Sequence, residues 1–143
     1  MKALSYIKLI FLLLYFTACN NHPNPESILL KTNLSSPKKY KILDFKSDWA
    51  IGESREEYLL TISKEDYQKI SKEIERKKFF QRIDSSKVPT LAFDNTTDIN
   101  KTKETACGYN NKYFYQIFIH DQELVITVVL EKDSLMSILY DDL

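Results

Sequence analysis

The last third of the chain carries the clearest alternation of apolar and polar positions. Residues 113–119, 124–131 and 135–140 are three runs rich in aromatic and β-branched side chains, separated by His120-Asp121-Gln122-Glu123 and Lys132-Asp133-Ser134. Short runs of that composition between polar turn segments predict consecutive antiparallel strands, here a β-meander. A turn at Asp121-Gln122 sets Ile119 opposite Leu124, Ile117 opposite Ile126, Tyr115 opposite Val128 and Tyr113 opposite Leu130. That face is wholly apolar and is expected to lie under a helix. If Glu131 then pairs with Ser134, the other face carries Phe114, Phe118, Val125, Val129, Met136, Ile138 and Tyr140, with Gln116 and Thr127 among them. A sheet bathed by water on one side shows polar residues there. A second face this apolar is either covered by more chain or is a contact surface, and those seven residues form the candidate binding face.

Upstream, the period changes. Tyr67, Ile70 and Ile74 fall three and four apart, the stripe of an amphipathic helix. Ser63 supplies an N-cap, with Glu65 and Asp66 in the first turn and Lys77, Lys78 and Arg82 at the far end, matching the helix dipole. Glu65–Lys69 and Glu73–Lys77 have the spacing of supporting ion pairs. The prediction is a helix near 64–80, with Phe79, Phe80 and Ile83 closing the core at its end. Residues 40–45 and 57–62 read as two strands of a hairpin, with Ser47-Asp48-Trp49-Ala50-Ile51-Gly52 as the connection. Residues 88–93 suggest a further short strand, and 94–111 a long polar loop of a length unusual in small domains. Together these elements predict an α+β domain over 40–143: a small antiparallel sheet made of an N-terminal hairpin and a C-terminal β-meander, with one helix.

The segment 19–39 reads as a tether, with Pro23, Pro25 and Pro37 among Asn and Ser. Ile28-Leu29-Leu30 is its exception, an apolar trio suited to docking on the domain. Before it, Lys2 and Lys8 are followed by an unbroken apolar run at 9–16. That run is too short for a bilayer, which needs about 20 residues, but fits the apolar region of an export signal. Phe16-Thr17-Ala18-Cys19 resembles the lipobox of bacterial lipoproteins, departing from it only in Phe16 where that family prefers Leu. The resemblance implies cleavage of residues 1–18 as a signal peptide, a diacylglyceryl group on the Cys19 sulfur, and a third acyl chain on its amine. Two or three chains anchor stably where one binds only reversibly. Asn20, rather than Asp, follows the cysteine; by the same resemblance this favours the outer membrane where the organism has one. The expected setting is therefore the bacterial cell envelope, with the membrane reached through the N-terminal lipid.

Composition narrows the function further. Removing residues 1–18 leaves 125 residues with 18 basic and 20 acidic groups, a net charge of −2. That excludes the excess positive charge of a nucleic-acid binder. With Cys19 acylated, Cys107 is a single thiol, so the domain must be held by its core rather than by disulfides. Only Gly52 and Gly108 are glycine, too few for a phosphate-cradling loop, and no cofactor is expected. Cys107 with His120 is the one conceivable nucleophile and base. Asp94, Asp98 and Asn100 begin like a calcium loop, but Ile99 and Thr105 stand where that loop needs Gly and Glu. His22 has no second ligand near it in sequence, and no metal site is assigned. The expectation is thus a non-catalytic binding module with a protein partner in the envelope, over a structural lipoprotein without a ligand or a Cys107-dependent enzyme.

Overall fold

The computed structural model describes residues 24–50, 53–84 and 102–143. Within them run α1 (Pro25–Lys31), β1 (Tyr40–Ala50), β2 (Glu53–Ile62), α2 (Lys64–Glu75), β3 (Phe80–Arg82), β4 (Lys103–Tyr109), β5 (Lys112–Ile119), β6 (Leu124–Glu131) and β7 (Leu135–Asp142). The strands form one seven-stranded sheet in the order β1-β2-β7-β6-β5-β4-β3. Every neighbouring pair is antiparallel except β3 with β4. The α+β expectation holds at that level, but the sheet is larger than expected and two helices accompany it. Adjacent parallel strands need a crossover rather than a hairpin, and the connection from β3 to β4 runs through 85–101, outside the described residues. The strand expected at 88–93 lies there too.

The β5–β6 register is the one the pattern predicts: Ile119 opposite Leu124, Ile117 opposite Ile126, Tyr115 opposite Val128 and Tyr113 opposite Leu130. The next register differs by one residue. Glu131 pairs with Leu135, not Ser134, because Lys132–Ser134 form a 3-10 turn that ends with Ser134 in the left-handed region at φ 64°. Strand side chains alternate, so a one-residue slip exchanges faces. Met136, Ile138 and Tyr140 therefore point to the helix side, opposite Leu130, Val128 and Ile126. There they pack with Leu60, Tyr58, Ile70 and Ile74 in the main core.

Two helices cover that face. α2 forms as the stripe predicts, with Ile70 and Ile74 fully buried. Ser63 caps it, its hydroxyl oxygen accepting the Asp66 N–H at 3.0 Å. The helix stops at Glu75, short of 80, because the chain turns at Arg76 so that Phe80 can begin β3. Phe79 is consequently exposed, while Phe80 packs on the core. The Glu73–Lys77 pair does not form. The Glu73 carboxylate accepts the Ser35 N–H and hydroxyl at 2.7 and 2.6 Å, and Lys77 turns inward.

The second helix, α1, lies within the segment read as a tether, at the apolar trio expected to dock on the domain; Ile28 and Leu29 dock, and Leu30 is exposed. Asn24 accepts the Ser27 N–H at 2.8 Å, Pro25 occupies the first turn where its missing N–H costs nothing, and Glu26 faces the helix dipole. Ile28 and Leu29 are fully buried in the core, and Thr32, Leu34 and Pro37 are buried after them. Tyr115 ties this roof together. Its hydroxyl donates to the Thr32 carbonyl at 3.3 Å, and the Lys77 ammonium lies 4.6 Å from its ring centroid while also donating to the Thr32 carbonyl at 3.3 Å.

β4 replaces most of the loop expected after residue 101. Lys103-Glu104-Thr105-Ala106-Cys107-Gly108-Tyr109 has little strand pattern, yet it is paired on both sides, to β5 and β3. Gly108 is fitted to that place, since a Cβ there would stand 3.0 Å from the Phe80 ring.

Two outcomes follow from this packing. Leu29→Ala should destabilise the protein by about 2–5 kcal/mol in a denaturant titration, as for a core leucine, whereas a tether position would change stability by less than about 0.5 kcal/mol. Burial, with Glu56 beside Tyr58 and Glu104 beside Tyr115, raises both phenols well above the usual tyrosine value, and burial raises Tyr67 and Tyr140 too. A phenol raised in the folded state stabilises the fold fully below about pH 10, where the unfolded phenol is neutral, and loses that contribution as pH rises towards the folded value. Stability should therefore fall steeply above about pH 10. The part of the tyrosinate absorbance that Tyr58→Phe and Tyr115→Phe remove should then appear together with unfolding, not before it.

Candidate functional site

The second face of the sheet, read from sequence as either covered by more chain or a contact surface, is largely buried. Phe114, Val125 and Thr127 are 7, 6 and 8 % exposed and Cys107 is fully buried; Phe118 and Val129 are half-buried. Gln116 and Thr127 sit directly opposite each other in its centre and share a 2.9 Å hydrogen bond. The slip in β7 has meanwhile removed Met136, Ile138 and Tyr140 from it, leaving Leu135, Ser137, Leu139 and Asp141 in their place.

The exposed apolar side chains lie elsewhere, at one edge of the sheet. β1 is an outer strand of eleven residues, and every residue after Tyr40 is exposed. Trp49 is 80 % exposed, and Ile42, Leu43 and Phe45 are between 40 and 49 % exposed. The cause is position: β2 pairs with only one side of β1, and α2 packs on β3, β4 and β5 at the opposite end. A bulge between Ile42 and Asp44 breaks the register with β2, and the Asp44 carboxylate accepts the Phe45 N–H at 3.0 Å there. Beyond it, 44–50 pairs with β2 without interruption. Phe45 stacks on Tyr58 at 4.6 Å, which fixes its ring against the core. Tyr58 in turn donates to the buried Glu56 at 3.1 Å.

Next to this edge is a cleft of about 440 Å³ lined by Asp48, Trp49, Glu53, Arg55, Asp141 and Leu143. Arg55 Nε lies 3.5 Å from Asp141 Oδ1. Burial pushes the Asp141 carboxyl up, and Arg55 opposes the shift. The cleft can seat an aromatic or a charged side chain, and Ser54 and Asp142 line it as well. A second hollow of about 450 Å³ lies between Lys64, Tyr67, Tyr113 and Lys132. Tyr67 there donates to the Asn111 carbonyl at 2.8 Å.

The nucleophile and base considered from sequence are not brought together. Cys107 pairs with Phe114 in mid-sheet, while His120 begins the turn after β5, six residues along, or roughly 20 Å. Burial alone pushes the Cys107 thiol up, away from the reactive thiolate. Among the described residues, no three His, Cys, Asp or Glu side chains group to hold a metal ion, and no helix is long and apolar enough to cross a membrane. Cys19, His22, Asp94, Asp98 and Asn100 lie outside the described residues.

The β1 edge was missed because Ser47, Asp48 and the following glycine read as a turn. The signal was present nonetheless. Phe45, Ser47 and Trp49 alternate with Asp44, Lys46 and Asp48, a period of two that runs through the supposed connection.

Compared with protein-family models, with curated proteins and with solved structures, the chain matches none of them.

A thiol probe checks the sequestration of Cys107. In the full chain, Cys107 should remain unmodified by a charged disulfide reagent at neutral pH and react stoichiometrically once denaturant is added. Modification within minutes in the native protein would return it to consideration as a nucleophile.

Proposed function

We propose that the protein is a lipid-anchored component of the bacterial cell envelope, on the outer membrane where the organism has one, that acts by protein contact rather than by catalysis and engages its partner along the β1 edge. One observation carries this reading: exposed apolar side chains gather on β1, which among the described residues is an outer strand paired on one side, to β2. Partner strands add to such an edge through main-chain hydrogen bonds, with alternate side chains setting specificity. The ionisable groups of the interior support it as well. Among the described residues, Glu56, Glu73, Lys77, Glu104 and Tyr115 are each engaged with neighbours in the fold, a structural use of their polar atoms.

The folded start of α1 sharpens the setting. Cys19 precedes Pro25 by six residues, which span about 20 Å even when fully extended. Acylation at Cys19 would hold the domain against the bilayer, not far out on a stalk, so the partner is a protein at the membrane surface.

Labelling with an alkynyl palmitate should tag the protein, and Cys19→Ser should lose the tag. A photo-crosslinking amino acid at Trp49 in intact cells should yield an adduct of higher mass, and the same group at Lys72, on the outer side of α2, should not. Loss of both signals overturns the reading.

A further inference from the structure

Resting on the contact reading above, we infer that the occupant of the β1 edge is β1 of a second copy of this chain, paired antiparallel about a two-fold axis through Ser47. The argument starts from the bulge. It limits regular pairing to 44–50, the uninterrupted part of the strand, and Ser47 is the midpoint of that run. A two-fold axis normal to the sheet carries each face of one copy onto the same face of the other, so each residue opposes one of its own face. Only alternate alignments satisfy this.

The charges choose among them. Centred on Lys46, the pairing sets Lys46 against itself and Asp44 against Asp48. Centred on Asp48, it sets Asp48 against itself. Centred on Phe45, it drives the strand into the bulge and places Trp49 across from Lys41. Centred on Ser47, it sets Lys46 opposite the second copy's Asp48 and Asp48 opposite its Lys46 on one face. On the other face, Phe45 meets the second copy's Trp49 and Trp49 meets its Phe45. Opposite charges and aromatic pairs directly across a strand pair are both favourable, and like charges are not. Lys46 is free to serve, since its present contacts are long and exposed, 3.7 Å to Asp44 and 4.0 Å to Glu57. The run Asp44-Phe45-Lys46-Ser47-Asp48-Trp49-Ala50 is therefore complementary to its own reverse, as an isologous interface requires. The charges that oppose haphazard edge pairing permit this single alignment. The axis also keeps α1 of both copies on one side of the joined sheet, as two chains tethered to one membrane require.

Ser47→Cys in the full chain, expressed in its own membranes, tests the geometry. Directly opposed residues lie about 4.5–5.5 Å apart at Cα, within the range a disulfide spans. Copper-phenanthroline should oxidise the two thiols to one bond and give a species of twice the monomer mass on non-reducing gels. The parent chain and Ser54→Cys on β2 should give none. Adding Lys46→Asp should cut the yield roughly tenfold, since both charge pairs turn repulsive, and adding Asp48→Lys to that variant should restore it. A Ser47→Cys chain that forms no dimer, a yield unmoved by Lys46→Asp, or no restoration by the paired reversal overturns the inference. A disulfide to a different polypeptide overturns the second copy as occupant and leaves the contact reading standing, whereas no adduct at Ser47 or Trp49 ends both.

Discussion

One apolar face of a seven-stranded sheet has to be kept from water without a disulfide, and the rest of the structure follows from how that is done. Tyr115, Ile126, Val128, Leu130, Met136 and Ile138 are fully buried on that face. Burying such side chains stabilises by about 1.5–3 kcal/mol each, against an ordering cost of similar total size. α2 alone offers only Ile70 and Ile74 as fully buried contacts. The short α1, with Ile28 and Leu29, supplies what is missing. Seven residues make an unstable helix in water, so α1 exists because of what it covers. The Thr32 carbonyl at its end, receiving both Tyr115 and Lys77, fastens it to the sheet and to the chain that follows α2.

The roof does not reach everywhere. α2 lies over β3, β4 and β5. Towards β1 the cover thins until only Tyr58 and the ring of Phe45 are packed, and Trp49 stands in solvent. Lengthening β1 and β2 past the roof gives nothing to the monomer's core, since additional hairpin residues cost backbone entropy and expose indole and phenyl surface. A hairpin that extends this far gains stability when something else lies beside it. In the proposed strand pairing, the interface would supply the free energy absent from the fold.

The sequence made some of this legible and concealed the rest, for reasons that can be named. Strands β5 and β6 were readable because both faces are apolar and the four-residue connection fixes the register. β7 was readable as a strand but not in its facing, since a three-residue 3-10 turn and a two-residue turn differ by one position and nothing local to Lys132-Asp133-Ser134 decides between them. α1 was written plainly in Asn24-Pro25-Glu26, an N-cap, a first-turn proline and an acid at the dipole. Those residues resemble a linker as closely as a cap when read for composition alone. β4 was unreadable because its strand character is imposed by β3 and β5, with Ala106, Cys107 and Gly108 chosen for size rather than for β-propensity. Of the candidate site, Phe114 and Val125 were placed on the correct face, but burial is a tertiary property that alternation does not report. Trp49 was passed over because a serine and an aspartate beside it suggested a turn.

Edge strands are usually defended by being short, charged or bulged. β1 is long, and it carries both a bulge and four charges, Lys41, Asp44, Lys46 and Asp48. Defence alone would not need Trp49 and Phe45 exposed on the same strand, and promiscuous stickiness would not tolerate alternating charges beside them. Apolar residues on one face favour association, and charges on the other face restrict the registers in which it can occur. In the proposed pairing, affinity and selectivity would be carried by opposite faces of the same seven residues. Acylated at Cys19 as proposed, the domain would lie within about 20 Å of a bilayer and would meet partners by lateral diffusion at raised effective concentration. In that setting a short and individually weak strand pairing is enough to assemble, provided its register is unambiguous.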